Sequence, residues 1–600
     1  MSKELLEIIS GFKRTLRLMD RSEKITLILA SLLMLITGVL TNLPAIILGR
    51  LVDKLVGFKN IQFSLAIPFI FLIVVIIVIR EILTVIRKYL VENIAAQTEK
   101  KQTVVVIDHL LKTDISIIDQ QQIGSLHGKI FRSIQGLVKI IKLGFLDFFP
   151  VFFSGLAAIA IALLQKPLLA SVMILVIPTG LFIIIKQLSS QKGLRVAFLR
   201  KQETIDGAVV EMLGGLETVR VANTTDQEVG KIEQVAEELR KKEIKHHIAM
   251  ALFDSLKYLN EGFFYILVIS LSILFSAQGL ISRGDILVYS ILFLSITGPL
   301  REVHRILDEA HESSIRVNDL YELLGEPIDE SFKITLDNKK RSSSERNNVI
   351  QINKLTFSYP GKTIKVLDNI SFTIKSGEKI GIAGASGCGK TIFIKILLRL
   401  IHDYSGDVLL FGKDLKSITR AEIAQKIAYV PQKNYIFSGT IKENIVYGCF
   451  RTNVSEEEII SAAKKAHIYK EIIDSLGGLN GRVGENGNNL SGGQKQRLAI
   501  ARLILKSPEL FIFDEATSAL DNTNEDLIQK NIEQLYKDKT MITIAHRLTT
   551  LKNNDRIFVF DKGKIVQEGN FGELSQKKGL FQDFLQQKDR GELSESDSSL

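Results

Sequence analysis

The sequence predicts a multidomain chain. An all-α domain of six transmembrane helices with long cytoplasmic helical extensions comes first, and a C-terminal α/β domain built on a phosphate-binding loop follows. Three observations predict it. Apolar runs of about 20 residues, the length a helix needs to cross the hydrocarbon core, recur six times before about residue 310. The connections between them alternate between short and long. In the second half, a glycine-rich loop ending in Lys390-Thr391 stands between a strand pattern and a helical one.

At 600 residues the chain exceeds what a single hydrophobic core serves, so at least two domains are expected. Hydrophobic residues make up 46% beside 24% charged residues, an average that conceals a greasy half and a polar half. The formal charge of +10 would suit nucleic acid only if the basic residues clustered beside aromatics. They crowd the segments between apolar runs, as cytoplasmic loops of membrane proteins do. The lipid bilayer is therefore the expected partner, and nucleic acid is not. Cys388 and Cys449 are the two cysteines; they make no disulfide framework and fit a reducing cytoplasmic side.

The expected spans are Ile25 to Leu48, Phe63 to Ile86, Phe145 to Leu164, Leu168 to Ile185, Phe263 to Leu280 and Ile286 to Leu307. Any one of them reads equally well as a buried soluble helix; six in series do not. The connections after the second and fourth are about 55 and 75 residues, helical in pattern and rich in Lys and Arg. Basic loops stay in the cytoplasm, which puts both termini inside; Arg50, Lys54 and Lys59 on the outer side count against this. If each long loop is a helix pair, its arms reach roughly 35–50 Å beyond the spans. Arg80, Glu81, Asp147, Glu261, Asp285 and Arg301 fall toward span ends. A charge at the bilayer centre costs at least about 2.5–3.5 kcal/mol and marks an ion route. Charge-poor spans point to a hydrophobic or amphipathic substrate.

The expected divisions are a cytoplasmic lead-in (1–24), which lacks a signal-peptide cleavage pattern, the membrane domain (25–325), a polar linker (326–348), the α/β domain (349–588) and a disordered acidic tail (589–600).

Gly384-Ala385-Ser386-Gly387-Cys388-Gly389-Lys390-Thr391 matches GxxxxGK[ST] in the required strand-to-helix context. Glycines let backbone N–H groups close on phosphate oxygens, and a helix N-terminus adds favourable partial charge. Lys390 is expected to clamp the β- and γ-phosphates, and the Thr391 hydroxyl to bind Mg²⁺. Cys388 reads as a small filler. Downstream, the apolar run Leu510-Phe511-Ile512-Phe513 reads as a buried parallel strand and ends in Asp514-Glu515. Ligands of open α/β sheets sit at that strand end. Asp514 can hold Mg²⁺ and Glu515 can polarise the attacking water. Alone, the pair would read as two solvated acids.

Before that strand stands Leu490-Ser491-Gly492-Gly493-Gln494. Here the sequence resembles the ATP-binding-cassette superfamily, whose signature is LSGGQ. The resemblance covers about residues 349–588 and implies ATP and Mg²⁺ as cofactors and further roles in family order. Tyr359 matches the aromatic that stacks on adenine. Gln432, in "YVPQ", matches the glutamine that contacts Mg²⁺ and the membrane-domain arms. Glu485 matches an exporter-specific element, Asp521 the loop at the dimer interface, and His546 the γ-phosphate switch histidine. Ser491, Gly493 and Gln494 would contact the ATP held by a partner cassette. The membrane half resembles the exporter branch through Pro44, Gly49 and Asp53, through Gly124-Ser125-Leu126, and through Gly214-Gly215-Leu216 with "ETVRVA". It departs at Lys129 and Ser133, where the pattern has Arg and Asp, so substrate identity does not transfer.

The resemblance implies an ATPase half-transporter, a homodimer in preference to a heterodimer, in a bacterial inner membrane with the cassette cytoplasmic. A cradle on one face and a signature on another cannot reach one γ-phosphate within a single cassette; two cassettes packed head to tail can. Lipid, drug-like molecule and peptide all fit as substrate. Six spans and the lack of a long coiled coil exclude a chromosome-structure ATPase, and a fused cassette disfavours an importer. An ATP-gated channel or channel regulator is the alternative on the same fold.

Overall fold

The computed structural model describes residues 3–56, 63–118, 123–190, 201, 205, 207–334, 348–451, 453–514, 538–545 and 548–586. The chain divides into two units: Met1–Thr113 with Ile118–Pro327, and Asp114–Ile117 with Ile328–Leu600.

In the first unit, six helices are long and apolar enough to cross a membrane: Arg21–Val56, Phe63–Lys112, Gly128–Gln165, Pro167–Gln187, Thr225–Ala277 and Arg283–Gly325. Each expected span falls on one of them. The arms are continuations of the spans. The second helix runs from Ile86 on to Lys112, roughly 40 Å at ~1.5 Å per residue. It can do so because its buried residues change along its length. The span itself is exposed, as a lipid-facing helix is, whereas Arg87, Val91, Ile94, Ala95, Thr98, Gln102 and Val106 beyond it are buried. Their spacing makes the stripe by which an amphipathic helix packs on its neighbours.

Small residues bring the helices close. An added Cβ on Gly38 would lie 2.9 Å from the Phe153 backbone, and the Asn42 amide donates across that contact to Ser154 O at 2.9 Å. Gly49 and Gly284 touch backbone to backbone: a Cβ on Gly284 would lie 2.0 Å from Gly49 O. Asp53, one turn on, accepts from the Gly284 amide.

The fifth helix ends at Ala277, three residues before the expected Leu280. Gly279, at φ +69, lets Leu280 N–H donate to Phe275 O at 2.9 Å and its own N–H to Ser276 O at 3.1 Å, a Schellman stop. Ser282 and Asp285 then form a capping box that starts the sixth helix. The third helix contains a π-helical turn, Leu143–Phe148. Buried Arg87 donates to Phe145 O within it at 3.2 Å, satisfying a carbonyl in a stretch where the regular ladder is disturbed. The six charges expected toward span ends each have a partner: Arg80 with Glu81, Asp147 with Arg305, Glu261 with Arg301, and Asp285 with the Ser282 amide.

The described part of the second unit has twelve strands: β1 (Asn348–Ser358), β2 (Lys365–Lys375), β3 (Lys379–Gly384), β4 (Ser405–Leu410), β5 (Lys413–Asp414), β6 (Ile427–Val430), β7 (Gly439–Thr440), β8 (Arg482–Val483), β9 (Leu510–Asp514), β10 (Thr540–Ile544), β11 (Arg556–Asp561) and β12 (Lys564–Gly569). One sheet has the order β2-β1-β4-β5 and is antiparallel; a larger one has the order β12-β11-β3-β10-β9-β6. In the larger sheet β11, β3, β10, β9 and β6 run parallel. Every residue of β9 is buried, which accounts for its unbroken apolar run. A core of Phe372, Phe393, Phe558 and Phe560, with ring pairs 4.5 to 5.9 Å apart, joins the two sheets. Rings at these separations add to their area burial.

Candidate functional site

Parallel strands end on one edge, and the expected site residues follow those ends. Gly384 closes β3 opposite Phe560, Asp514 closes β9 opposite Ile544, and Gln432 follows β6 by two residues. Glu515 comes next after Asp514 in the chain and His546 comes two residues after Ile544; both lie outside the described residues, as does Asp521.

The loop after β3 requires its glycines. Gly384 has φ +150 and no room for a side chain, since a Cβ would lie 2.3 Å from Phe560 O. Gly389, at φ +109, would clash with Val366 O at 2.8 Å. These backbone angles favour glycine. The helix Lys390–Leu397 starts at Gly389 with no side-chain cap, so its first amides are available to an anion. Ala385, Ser386, Gly387 and Thr391 are exposed, while Cys388 is buried under the loop. Lys390 Nζ sits in the mouth, donating to Gly384 O at 2.8 Å and Ala385 O at 3.0 Å. The arrangement is a cradle for phosphate oxygens.

Asp514 is buried, and its Oδ2 accepts from the Tyr429 hydroxyl at 3.3 Å. Burial first, and then the Asp514 charge, push the Tyr429 phenol above its ordinary range. Tyr429 was not among the sequence candidates. Its signal was position: it lies on β6, beside β9, three residues ahead of Gln432. Gln432 and Thr391 are exposed. Among the described residues no group of three or more His, Cys, Asp or Glu could hold a metal by itself. One carboxylate, one hydroxyl and one amide suit Mg²⁺, which binds through few protein ligands and substrate phosphates.

Tyr359 follows β1, is 44% exposed and meets Phe357 edge-on at 5.3 Å, an orientation that leaves ring surface for stacking. Ser491 caps the helix Gly492–Lys506: its hydroxyl accepts from Gln494 N–H at 3.2 Å, and Gln494 Oε1 accepts from Ser491 N–H at 2.8 Å. Gln494 Nε2 also donates to Glu471, which pairs with Arg497 at 2.5 Å. The Gln494 amide is thus used at both ends inside its own cassette, and the exposed part of the turn is Ser491 and Gly492. Glu485, itself exposed, opens a 3₁₀ turn upstream whose last residue, Gly487, is buried. Among the described residues no hydrogen bond or ion pair joins the signature turn to the phosphate loop.

The first unit contains a cavity of about 130 Å³ whose lining includes Gly180, Asp254, Lys257, Glu261, Arg301 and Arg305.

The sequence matches the family model for the ABC transporter transmembrane region over residues 27–300 and the ABC transporter model over 367–518. It is 30% identical over 524 residues to an ATP-dependent lipid A-core flippase of Pseudoalteromonas translucida, covering 85% of this chain and 87% of that one. It is 32% identical over 407 residues to the mitochondrial iron-sulfur clusters transporter atm1 of Neurospora crassa, covering 64% of this chain but only 55% of that relative's length. The fold is shared with a bacterial Atm1-family ABC exporter solved with ATP bound, at a TM-score of 0.82 and 23% identity over 95% of this chain and 98% of that one. The chain belongs to the ABC transporter family, as an exporter-type half-transporter in which a multi-pass membrane domain is fused to one cassette whose ATPase activity is coupled to transport.

Proposed function

We propose that two copies of this chain export or flip a hydrophobic or amphipathic molecule, of lipid, drug-like or peptide class, across a bacterial inner membrane. One observation carries the reading. Each cassette has a phosphate cradle at the end of β3 and a buried carboxylate at the end of β9 in the same parallel sheet, and among the described residues no hydrogen bond or ion pair joins its exposed signature turn to that cradle. Such a site needs a second cassette. The pairing of Arg80 with Glu81, Glu261 with Arg301 and Asp147 with Arg305 supports a route for apolar or amphipathic matter over an ion path. Of the relatives, one is named for lipid A-core and another for iron-sulfur clusters, so the reading stays at the broader class.

The proposed mechanism assigns each residue a task. The loop from Gly384 to Gly389 wraps the phosphates with backbone N–H groups. Lys390 exchanges the Gly384 and Ala385 carbonyls for β- and γ-phosphate oxygens. Tyr359 stacks on adenine. Thr391, Gln432 and Asp514 would hold Mg²⁺, which neutralises developing phosphate charge. Glu515 orients the attacking water and takes its proton, with His546 at the γ-phosphate. Ser491, Gly493 and Gln494 of the partner cassette close the site, and the helical arms carry that closure to the spans.

The test is ATPase and translocation in nanodiscs and vesicles against panels of lipids, amphipathic drugs and peptides. One class should stimulate saturably and be moved in an ATP-dependent way, and Glu515→Gln should abolish both effects. ATP-dependent conductance in a planar bilayer, with no class moved, would replace this reading with the channel.

A further inference from the structure

The first unit runs into the second at three peptide junctions: 113–114, 117–118 and 327–328. Acidic residues stand at or beside two of them, and both face one imidazole. His402 Nε2 lies 3.3 Å from Asp329 Oδ1 and 4.0 Å from Asp114 Oδ2. All three residues belong to the second unit.

Asp329 is a buried carboxylate with a full set of partners. It accepts from the Ser331 amide at 2.7 Å and pairs with Arg420 Nη2 at 2.6 Å. Arg420 in turn reaches two segments at once. Toward the linker it also donates to Ser331 Oγ at 3.1 Å, and its guanidinium lies 5.7 Å from the Phe332 ring. On the other side it donates to Leu398 O at 2.7 Å and Arg399 O at 2.5 Å. Those carbonyls end the helix that begins at Lys390. The helix stops in a Schellman turn, with Leu400 N–H on Lys395 O at 2.8 Å and Arg399 in the left-handed region at φ +53. Its eight residues make a strut of about 12 Å. Phe393, Ile394, Ile396 and Leu397 bury one side of it, so it moves as one piece with its surroundings. One end meets phosphate and the other end meets Arg420.

We propose that Asp329 and Arg420, with His402 and Asp114, are positioning residues that couple the phosphate site to the membrane unit through the helix Lys390–Leu397. The inference rests on the transport reading above. Displacement of the phosphate end of the strut is passed by Arg420 to Asp329, two residues from the junction at 327–328, and by His402 to Asp114 at the junction of the first arm. The planar fork suits this task, because it fixes four acceptors on two segments in direction as well as distance. An apolar contact would let the segments slide.

The experiment uses the full chain in nanodiscs and follows hydrogen exchange with and without ATP plus vanadate. In the wild type, protection should change both in cassette peptides around Gly384 to Thr391 and in helix peptides covering residues 100–113 and 301–325. In Asp329→Asn and Arg420→Lys the cassette change should persist, with half-saturating ATP within about twofold of wild type, and the helix change should be lost. His402→Gln, at the rim of the cluster, should weaken the change in 100–113 alone and serves if the other variants do not fold. Variants that pass the full change to the helices would overturn the proposal. So would variants that lose the cassette response as well, because the cluster would then only shape the cassette. A wild type whose cassette responds while its helices do not would refute the transport reading instead.

Discussion

The Gly284 amide donates to Asp53 Oδ1 at 2.6 Å, which ties the end of the first spanning helix to the start of the sixth. The carboxylate adds to the Ser282 capping box in satisfying the first-turn amides. Gly49 and Gly284 make the contact possible, since a side chain on Gly284 would run into the Gly49 carbonyl. Gly284→Ala must therefore push two backbones apart, while Asp53→Ala removes a cap worth about 0.5–2 kcal/mol. Thermal unfolding in detergent should show the glycine variant losing more stability than the aspartate variant. Wild-type stability in Gly284→Ala would refute the close approach.

Lys390 and Tyr359 should act on different parts of ATP. Lys390→Ala removes the cation from the mouth of the loop and should abolish turnover. Tyr359→Ala removes a half-exposed ring. By analogy with base–aromatic stacking, that surface is worth about 1–3 kcal/mol. The variant should raise the KM for ATP by roughly 5- to 150-fold and spare most of kcat. An unchanged KM would show that the ring does not meet adenine.

Tyr429→Phe tests the hydroxyl that donates to Asp514. One hydrogen bond contributes about 0.5–1.5 kcal/mol, so the Mg²⁺ concentration for half-maximal ATPase should rise by roughly 2- to 12-fold. KM for ATP at saturating Mg²⁺ should stay near wild type. Unchanged Mg²⁺ dependence would reduce Tyr429 to packing.

The spans and the phosphate loop were legible because each is written in consecutive residues. Twenty apolar residues cannot be hidden, and Gly384, Gly387 and Gly389 owe their identities to a local backbone path with positive φ. What depends on distant partners was not legible. Hydropathy carried the fifth span to Leu280, although the φ of Gly279 stops the helix at Ala277. The polar run from residue 326 reads as a linker by composition, yet Asp329 and Ser331 are buried; their partner Arg420 is about 90 positions away. Tyr429 is marked only by its place on β6 beside β9, a pairing of residues about 85 positions apart. The Arg87 bond to Phe145 needs a π turn that no residue pattern marked.

Asp329 should also leave a mark on acid stability. Burial alone would raise its pKa, but hydrogen bonds from His402, Ser331 and Arg420 outweigh that and hold the carboxyl well below the usual carboxylate range. Unfolded aspartate titrates near about 3.9. The folded state therefore binds its proton at lower pH, and the stabilisation is complete above that value and lost as pH falls through the depressed one. Asp329→Asn should be less stable than wild type at neutral pH, and the gap should narrow below about pH 4. Cassette unfolding followed by calorimetry from neutral to acid pH checks this. A gap independent of pH would mean that Asp329 contributes shape and not charge.

The sharing of ATP sites between two chains can be tested without knowing the substrate. A Lys390→Ala subunit has a broken cradle and an intact signature. A Ser491→Arg subunit has an intact cradle, but a bulky side chain stands where the exposed cap now opens. Each homodimer should be inactive, because both of its sites contain one broken half. In a mixed dimer one site combines the two lesions and the other combines two intact halves. Subunits with different tags, co-expressed and purified as the mixed species, should therefore occlude one ATP per dimer. Hydrolysis can require both sites, so occlusion is the cleaner readout. Wild type prepared in the same way should occlude two. A mixed dimer that occludes none beside such a wild type would show that Ser491 does not serve its partner's nucleotide. The same result would remove the physical ground for a homodimer, since an outward-opening signature with no cradle to close on would have no role in the site.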